Sequence, residues 1–556
     1  MKTLLLTMPT YYYEQPQGVP RLIAYLKDKG HNVAHRNLNY EFFRTICSKS
    51  FLQKIYTERK RYKRVVDFFK QTNRQLFFED VEKANNTLDE KFCLLSQQEF
   101  RKNIGILNAG IRFINAAFYP TKLSLDEGMV TEYSSNYSKD IIKASGDAQT
   151  NIFIEFCNQG FLRDIIKEPP DLVGISMTHS SQVIPGFTLA RMIKKLTKAK
   201  IILGGAYISQ FCEFFLKLPI LHKLLDFVII GSGEITTDIL LNNIYAGRGI
   251  ENIPNLIFRD NRGKLIDNQR RDTFNIDCSV VPEYIEPRPR PIIALESSEN
   301  CYWDKCCFCD RGLQFGVTKR EDLKYQEKNI DKLCGEIQAV YDKYKPSVIR
   351  FSDSAVLPER LLKISNYIKQ AELDVKIFAY IRAEKEFASF NFCKKLVEGG
   401  VSGVAFGLES GLNTINAKYQ KGIDTAQVER VLEATKKAGI FTFLFVMVGF
   451  PNEGMEELLA TKSFIESNRM NIDTMWISMF GLFFNTYTYR HFQQFGIKAI
   501  STRKKQDIHR SFLFTEKSRA VRNKNVLIKK MISKYSSPRD ALIFRTLQQR
   551  DSVAIA

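Results

Sequence analysis

Four cysteines lie between positions 301 and 309, and three of them have the spacing of a loop that binds a metal cluster. Cys301, Cys306 and Cys309 form a C-x4-C-x2-C pattern. Three thiolates on one loop can bind three irons of a [4Fe–4S] cluster, which leaves the fourth iron open for a substrate or cofactor. A zinc site usually needs four ligands, and no second CxxC or nearby histidine in the sequence completes such a set. The pattern therefore favours an iron–sulfur cluster over zinc.

Cys307 lies beside Cys306 and is interpreted as a bystander of the cluster. As a fourth zinc ligand it would require adjacent residues to wrap one ion, which is strained. The ligand set Cys301, Cys307 and Cys309 stays open as an alternative. The other cysteines are scattered, and the first residues predict a buried strand instead of an export signal. A disulfide framework is therefore not expected, and a reducing, cytoplasmic location is.

The cysteine loop follows an apolar strand, 291–296, that begins an alternation of strands and helices. Five more apolar segments end in polar or glycine turns: VIRFSD, KIFAYIR, GVAFGLES, FTFLFVMVG and TMWISMF. This alternation predicts a partial (β/α)6 or complete β/α barrel over 291–490, with chemistry at the carboxyl ends of its strands.

The N-terminal 250 residues predict a second α/β unit. A strand at 3–8, a helix within 16–30 and a strand from His31 form a βαβ start, and strands alternate with helices again from Asp171. Such alternation is typical of a parallel, doubly wound sheet. Residues 43–165 interrupt it with long charged stretches of helical periodicity, which predict a helical insertion. Residues 251–290 predict a small hairpin and a linker.

The chain has 556 residues, of which 44% are hydrophobic and 26% charged, so each unit can bury an ordinary core. No apolar stretch approaches the ~20 residues of a membrane span, and no membrane association is expected. The net charge is +20, and residues 501–556 contribute 14 basic and 4 acidic side chains. We predict a basic helical tail over 491–556. It could bind nucleic acid, anionic lipid or an acidic peptide, or form a solvated helical face.

The cysteine loop resembles the signature of radical S-adenosylmethionine (radical SAM) enzymes, normally C-x3-C-x2-C with an aromatic residue before the last cysteine. Phe308 occupies the aromatic position, and the x4 spacing departs from the usual x3. Tyr302 and Trp303 resemble the loop of the subgroup that carries an N-terminal cobalamin-binding domain. Further stretches are similar to the family's GGV, GxES, KG and GFP motifs, in the same order: 399–401, 407–411, 421–422 and 449–451.

The resemblance implies six residues that contact S-adenosylmethionine (SAM). Glu409 and Ser410 inherit the acid–serine pair that contacts the amino acid or ribose of SAM in the family. Arg382 matches an arginine commonly found after the third barrel strand, with a surface salt bridge as its alternative role. The implied set is Phe308, Asp353, Arg382, Glu409, Ser410 and Gly449.

The N-terminal half resembles the cobalamin-binding fold of the same enzymes in Pro9, the 16–31 series, the DLVGIS strand and the glycine turns at 204–205 and 231–234. In that fold the glycine turns let the backbone approach the corrin and its nucleotide tail. A dinucleotide site is the alternative, but no G-x-G-x-x-G opens a helix after the first strand. The D-x-H-x-x-G motif of an axial histidine is absent. The resemblance therefore implies cobalamin without a histidine on cobalt, and His179 is interpreted as structural. The implied contacts are Ser176, Thr178, Gly204, Gly205, Gly231, Gly233 and Glu234.

The resemblance implies C-methylation of an unactivated carbon through a 5′-deoxyadenosyl radical and methylcobalamin. The implied substrate is a peptide or another small natural product, and the implied partner is a one-electron reductant protein of the flavodoxin or ferredoxin type. One alternative is a radical SAM enzyme without bound cobalamin that catalyses another rearrangement or cyclisation. Another is a nucleic-acid-binding Fe–S or zinc protein, or an RNA-modifying enzyme, motivated by the positive charge. A methylthiotransferase acting on tRNA would belong to this last alternative, but such enzymes carry three N-terminal cysteines for a second cluster, and Cys47, Cys93 and Cys157 lack that compact spacing. Nucleic acid is therefore not the expected partner.

Overall fold

A sheet of seven strands forms the framework of the N-terminal half in the computed structural model. The structure describes residues 1–12, 17–71, 73–91, 95–125, 128–216, 224–260, 262–268, 274–285, 288–311, 324–504, 506–516 and 521–536. The strands of this sheet are β1 (Thr3–Thr7), β2 (Val33–Asn37), β5 (Leu172–Ser176), β6 (Lys200–Gly204), β7 (Phe227–Ile229), β8 (Leu256–Arg259) and β9 (Leu265–Asp267). Their order is β2-β1-β5-β6-β7-β8-β9. The first five strands in that order are parallel, as predicted.

Strand β1 is the centre from which the sheet is wound in both directions. It pairs with β2 on one side and β5 on the other, so the switch point of the doubly wound sheet lies between β1 and β5. Leu4 and Leu6 pack into one core and Leu5 into the other, which explains the continuous apolar run. The flanking helices are α1 (Gly18–Asp28), α10 (Val183–Leu196), α11 (Ala206–Leu216) and α12 (Glu234–Tyr245).

The hairpin predicted within 251–290 is present as β8 and β9, but it extends the N-terminal sheet. Strand β8 pairs antiparallel with β7, with Val228 opposite Ile257. This pairing covers the edge that β7 would otherwise expose. The charged, proline-rich sequence of the region predicts the turn but contains no signal for the pairing partner.

Residues between β2 and β5 are mostly helical, and their apolar faces join the core on one face of the sheet. The sequence does not predict the short hairpin of β3 (Lys122–Ser124) and β4 (Gly128–Val130), because three residues are too few to show alternation. The helices are α2 (Leu38–Ile46), α3 (Lys49–Arg59), α4 (Lys63–Phe68), α5 (Arg74–Lys91), α6 (Gln97–Ala117), α7 (Ser138–Ala144), α8 (Ile152–Phe156) and α9 (Leu162–Lys167).

A second sheet of six parallel strands forms the partial barrel, and each of the six predicted strands is present. In spatial and chain order these are β10 (Ile292–Leu295), β13 (Val348–Phe351), β14 (Lys376–Tyr380), β15 (Val401–Glu409), β16 (Phe441–Val448) and β17 (Thr474–Met479). A short antiparallel pair, β11 (Ser298–Glu299) and β12 (Gln326–Glu327), follows β10. The helices are α13 (Ile330–Tyr344), α14 (Pro358–Gln370), α15 (Phe390–Glu398), α16 (Asn413–Lys418), α17 (Thr425–Ala438) and α18 (Met455–Ser467).

The C-terminal region combines a small sheet with a helix. Strands β18 (Leu482–Phe483), β19 (Ile497–Ser501) and β20 (Ser511–Glu516) form an antiparallel sheet, and the short helix α19 (Tyr487–Arg490) lies between the first two. The helical tail predicted over 491–556 is helical in the described residues mainly at α20 (Val521–Tyr535), whereas Ile497–Ser501 and Ser511–Glu516 pair as strands, so the prediction is wrong there. The apolar and β-branched residues of these two segments favour strands over a helix. Helix α20 packs along β17, with Ile528 and Met531 in the barrel core. The tail beyond 536 lies outside the described residues. Within the described ranges, no helix has both the length and the hydropathy of a membrane span.

Candidate active site

The cysteine loop leaves β11 and turns twice before its last cysteine. Asn300 and Asp304 have φ values of 68° and 37°, in the left-handed region that Asn and Asp tolerate better than most residues. The N–H of Cys309 donates to the carbonyl of Cys306 at 3.1 Å, which closes the C-x2-C turn. The x4 segment, 302–305, contains the left-handed Asp304, so the chain changes direction there before the C-x2-C turn.

The three predicted cluster ligands differ in exposure. Cys306 is buried, and Cys301 and Cys309 are half-buried. Burial raises the pKa of the Cys306 thiol, and the positive charges of Lys421 and Arg382 act in the opposite direction. Such positive neighbours favour thiolate, the form that binds iron.

The described residues contain no group of three His, Cys, Asp or Glu side chains arranged to hold a metal ion. In a cubane cluster each thiolate binds a different iron, so the three sulfurs need not converge on one point. The three thiols and the positive neighbours of Cys306 are compatible with a [4Fe–4S] cluster.

Cys307 belongs to the packing behind the loop. Its side chain is buried, its N–H donates to the carbonyl of Tyr419 at 3.0 Å, and its carbonyl accepts the N–H and hydroxyl of Thr488, each at 3.0 Å. The apolar cluster around it, called here the rear cluster, comprises Cys307, Ile415, Tyr419, Phe450, Phe480, Leu482, Phe495 and Ile497. The alternative ligand set would require Cys307 to leave this cluster.

Arg382 and Trp303 lock the loop against the barrel. The guanidinium of Arg382 lies 4.3 Å from the Trp303 ring centre and donates to the carbonyl of Lys421 at 2.7 Å. The Trp303 indole N–H donates to the carbonyl of Gln420 at 2.9 Å. Arg382 is only 5% exposed, and it also pairs with the half-buried Glu384 at 3.1 Å. A salt bridge is therefore present, but the Arg382 guanidinium is buried and not on the surface. Its position beside the cysteine loop is compatible with the predicted SAM contact.

Glu409 and Ser410 follow β15 as predicted but face different partners. Glu409 has a left-handed φ of 60°, and its carboxylate accepts the Lys421 ammonium at 2.7 Å, beside Cys306. Ser410 is fully buried and its hydroxyl lies 3.2 Å from that of Thr461. The structure therefore brings Glu409 to the cysteine loop and places Ser410 in the supporting turn.

Asp353 stabilises the segment that leads into the cysteine loop. Its carboxylate accepts the Ser297 and Ser298 hydroxyls at 2.6 Å each and the Ser297 N–H at 3.0 Å, and it is 1% exposed. These bonds fix the chain between β10 and the cysteine loop. The Asp353 carboxylate already accepts hydrogen bonds from three donors. Its described contacts are therefore structural and hold the segment that leads into the cysteine loop.

Gly449 begins a turn that is held by the carboxyl group of Glu453. Gly449 has a φ of 83°, and the N–H groups of Gly449 and Phe450 both donate to one oxygen of Glu453. The Phe450 ring lies 6.1 Å from that of Phe308, so the turn contacts the cysteine loop. Burial raises the pKa of Glu453 to about 7, with Lys524 acting in the opposite direction. A Glu four residues after a glycine has no sequence signature of this role.

The pH dependence of the unfolding free energy should reveal the titration of the Glu453 carboxyl group. Because its pKa is raised from 4.5 to about 7 in the folded chain, the native state binds more protons than the unfolded state between these values. Stability should fall as pH rises through this window, by up to about 3 kcal/mol, and Glu453→Gln should remove that part of the fall. Urea unfolding between pH 4.5 and 7.5 measures this. The exposed Glu433→Gln variant should retain the wild-type slope, and an unchanged slope in Glu453→Gln would contradict the assignment.

All seven residues predicted to contact cobalamin line one cavity of about 230 Å³. It lies at the carboxyl ends of β5, β6 and β7, against the first turn of α1, and its lining is mainly apolar. Two of the lining segments, 204–205 and 231–233, are glycine turns. Gly205 lines the cavity, and its backbone packs closely against that of Met177. A Cβ at Gly205 would lie 2.4 Å from the Met177 carbonyl oxygen, so only glycine allows the two backbone segments to lie this close.

Arg21 also lines this cavity, and the sequence contains no signal for its role there. Its guanidinium donates to Glu234 at 2.6 Å and to Glu296, after β10, at 2.5 Å. Ser232 in the cavity wall hydrogen-bonds Glu299, two residues before the first cysteine. The cavity wall and the base of the cysteine loop are therefore in direct contact. No local pattern could reveal the role of Arg21, because both of its partners are more than 200 residues away in sequence.

His179 is held by its own neighbours. One ring nitrogen lies 2.7 Å from the Tyr11 hydroxyl and the other 3.0 Å from the Ser181 hydroxyl. Among the described residues the cavity lining includes Thr178 but not His179. This placement supports the structural interpretation of His179.

Substitution of Gly205 should test the close backbone approach. Gly205→Ala combines an unfavourable φ of 101° with the contact to Met177, and should lower the unfolding free energy by about 3 kcal/mol. Gly247→Ala is the matched control, because Gly247 has a φ of 64° but open space around it; about 1 kcal/mol is expected. Urea denaturation of both variants measures the difference. Equal losses would show that the approach imposes no steric constraint.

Residues 295–465 match the family model of the Radical SAM superfamily. An uncharacterized methyltransferase of Pyrococcus horikoshii is 28% identical over 322 residues. The match covers 56% of this chain and 66% of that relative, slightly less than two thirds of its length.

Two solved structures share the fold at low sequence identity. The first is the radical S-adenosylmethionine methyltransferase TsrM from Kitasatospora setae, with tryptophan substrate and a SAM analog bound; identity is 14%, the TM-score is 0.53, and 87% of this chain and 74% of that chain are covered. The second is the cobalamin-dependent S-adenosylmethionine radical enzyme OxsB with aqua-cobalamin and SAM bound. Its identity is 16%, its TM-score is 0.50, and the coverage is 65% and 58%.

Proposed function

We propose that this chain, whose residues 295–465 form a radical SAM superfamily domain, is a cobalamin-dependent methyltransferase that uses SAM and a [4Fe–4S] cluster. We further propose that it methylates an unactivated carbon of a peptide or another natural product. The methyltransferase description of the relative and the fold shared with TsrM and OxsB support the reaction class. The substrate rests on the resemblance of the Tyr302–Trp303 loop alone.

One observation carries the proposal: the cavity with the seven predicted cobalamin contacts adjoins the cysteine loop. Arg21 and Ser232 of the cavity contact Glu296 and Glu299 at the base of that loop. On the far side, Gln210 of α11 donates to Asp310, directly after the last cysteine, at 3.0 Å. The carboxyl ends of the two sheets therefore face each other, an arrangement in which two cofactors can share one substrate.

In this proposal each part of the chain holds one component. Cys301, Cys306 and Cys309 would hold the cluster, residues near Glu409 and Gly449 would hold SAM, and the glycine turns would hold cobalamin. When bound, these groups supply one-electron chemistry and a transferable methyl group. The chain contributes position: Arg382 and Trp303 fix the loop, and the rear cluster excludes water behind it.

The first test is the absorption spectrum of protein produced with cobalamin, reconstituted anaerobically with iron and sulfide, and desalted. Broad iron–sulfur absorption with corrin bands at about one cobalamin per chain is the expected result. Iron–sulfur absorption without corrin would reduce the N-terminal half to a scaffold and favour radical chemistry without cobalamin. Folded protein with neither absorption would contradict the proposal. Reduction of the cluster by a flavodoxin or ferredoxin would then test the proposed reductant.

A further inference from the structure

The C-terminal region, which the family resemblance leaves unexplained, lies directly behind the Gly449 turn. A Cβ built on Gly449 would be 3.5 Å from the Ile528 side chain of α20. The ammonium of Lys418 lies 3.5 Å from both the Pro451 and Phe495 carbonyls, which joins the turn to the segment before β19. The basic tail is therefore not simply a solvated face where it meets the barrel.

The Glu453 carboxyl group and the Lys524 ammonium hold the turn from its two polar sides. Glu453 accepts the N–H groups of Gly449 and Phe450, and the Lys524 ammonium donates to the Phe450 carbonyl at 3.3 Å. Lys524 belongs to α20 and also pairs with Glu516 of β20, at 3.2 and 3.3 Å from its two oxygens. Glu453 belongs to the barrel, whereas Lys524 belongs to the C-terminal region. The C-terminal region therefore supplies the contact to the Phe450 carbonyl.

The burial of Lys524 makes its position informative. Lys524 is 6% exposed, whereas Lys529 and Lys530 of the same helix are exposed. Burying an ammonium carries a desolvation cost that an apolar side chain in α20 would avoid. A buried lysine aimed at one backbone carbonyl is therefore suited to fixing that peptide, which adjoins both Gly449 and the ring that contacts Phe308.

We propose that Lys524 is a positioning residue for SAM, acting through the Phe450 carbonyl to hold the Gly449 turn in its binding conformation. This inference rests on the proposed function, because Gly449 is assigned there to the SAM site. Glu516 orients the ammonium and balances its charge. The C-terminal region would then complete the SAM site from behind, without touching the reacting atoms.

The test measures the dissociation constant of SAM on the anaerobically reconstituted protein. The double variant Lys524→Met/Glu516→Gln removes the contact to the Phe450 carbonyl and does not leave the Glu516 carboxylate without its cation. We expect at least a tenfold weaker affinity for SAM, with iron content and melting temperature close to wild type. Lys529→Met, on the exposed face of α20, should bind SAM as the wild type does. SAM affinity within twofold of wild type in the double variant would overturn the inference.

A variant that retains bulk and charge decides the question if the double variant does not fold. Lys524→Arg keeps the positive charge but replaces the compact ammonium that donates to the Phe450 carbonyl with a larger, planar guanidinium. We therefore expect at least a fivefold loss of SAM affinity at an unchanged melting temperature. Unchanged affinity would overturn the inference. Absence of SAM binding in the reconstituted wild type would instead overturn the proposed function, and this inference with it.

Discussion

Replacement of Cys306 by alanine is expected to abolish cluster assembly and all SAM cleavage. Cys306 is the middle cysteine of the C-x4-C-x2-C pattern and the most buried of the three predicted ligands. Without its thiolate one iron of the cubane loses its protein ligand, and two thiolates do not retain a [4Fe–4S] cluster with one open iron. Iron and sulfide content, the absorption spectrum and 5′-deoxyadenosine formation measure the loss.

Cys307→Ala is the matched control because the two cysteines are adjacent and similarly buried. Removing the Cys307 sulfur leaves a small cavity in the rear cluster and should lower stability by about 1–2 kcal/mol, with the cluster retained. The backbone contacts of Cys307 with Tyr419 and Thr488 do not depend on its side chain. Cluster loss in Cys307→Ala together with retention in Cys306→Ala would favour the ligand set with Cys307.

Replacement of Arg21 by methionine is expected to have the largest effect on stability, about 3–5 kcal/mol. The guanidinium is the shared partner of Glu234 and Glu296, which lie on opposite sides of the contact between the two sheets. Burial raises the pKa of Glu296, and Arg21 is the main charge that opposes this effect. Removing one member of a buried ion pair leaves an uncompensated charge, which is the costly case. Urea denaturation at pH 7.5 measures the loss.

Two further variants identify the cause of that loss. Lys27→Met removes a pair with Glu283 from the same helix, but both side chains are substantially exposed, so less than about 1 kcal/mol is expected. Combining Arg21→Met with Glu234→Gln and Glu296→Gln removes the stranded charges and should recover part of the stability. A triple variant no more stable than Arg21→Met would show that packing of the arginine stem is the larger contribution.

The sequence predicts the parts of the site that are encoded locally. Glycine turns after apolar strands identify Gly204, Gly205 and Gly231, because a parallel sheet brings the ends of neighbouring strands to one edge. The family motifs likewise locate Glu409 and Gly449 at strand ends. Their roles in binding stay predictions, and the structure adds that Ser410 and Asp353 have protein partners for their polar atoms.

Partners that meet only through tertiary packing could not be predicted. Arg21 lies on an ordinary amphipathic helix, and its role follows from contacts more than 200 residues away. Glu453 and Lys524 look like surface charges in the sequence, since hydropathy does not show that α20 folds onto the barrel. The pairing of β8 with β7 has the same origin, because an edge strand is compatible with many partners.

Helix α20 covers the edge strand β17, and this has a consequence for the order in which the protein matures. Residues 521–535 are synthesised after the whole barrel, so the nascent barrel passes through a stage at which the back of the Gly449 turn is uncovered. Thr488, which fixes the Cys307 carbonyl, is also made after all six barrel strands. The interval before these segments dock is therefore when the Gly449 turn and the Cys307 backbone lack the contacts that the C-terminal region supplies.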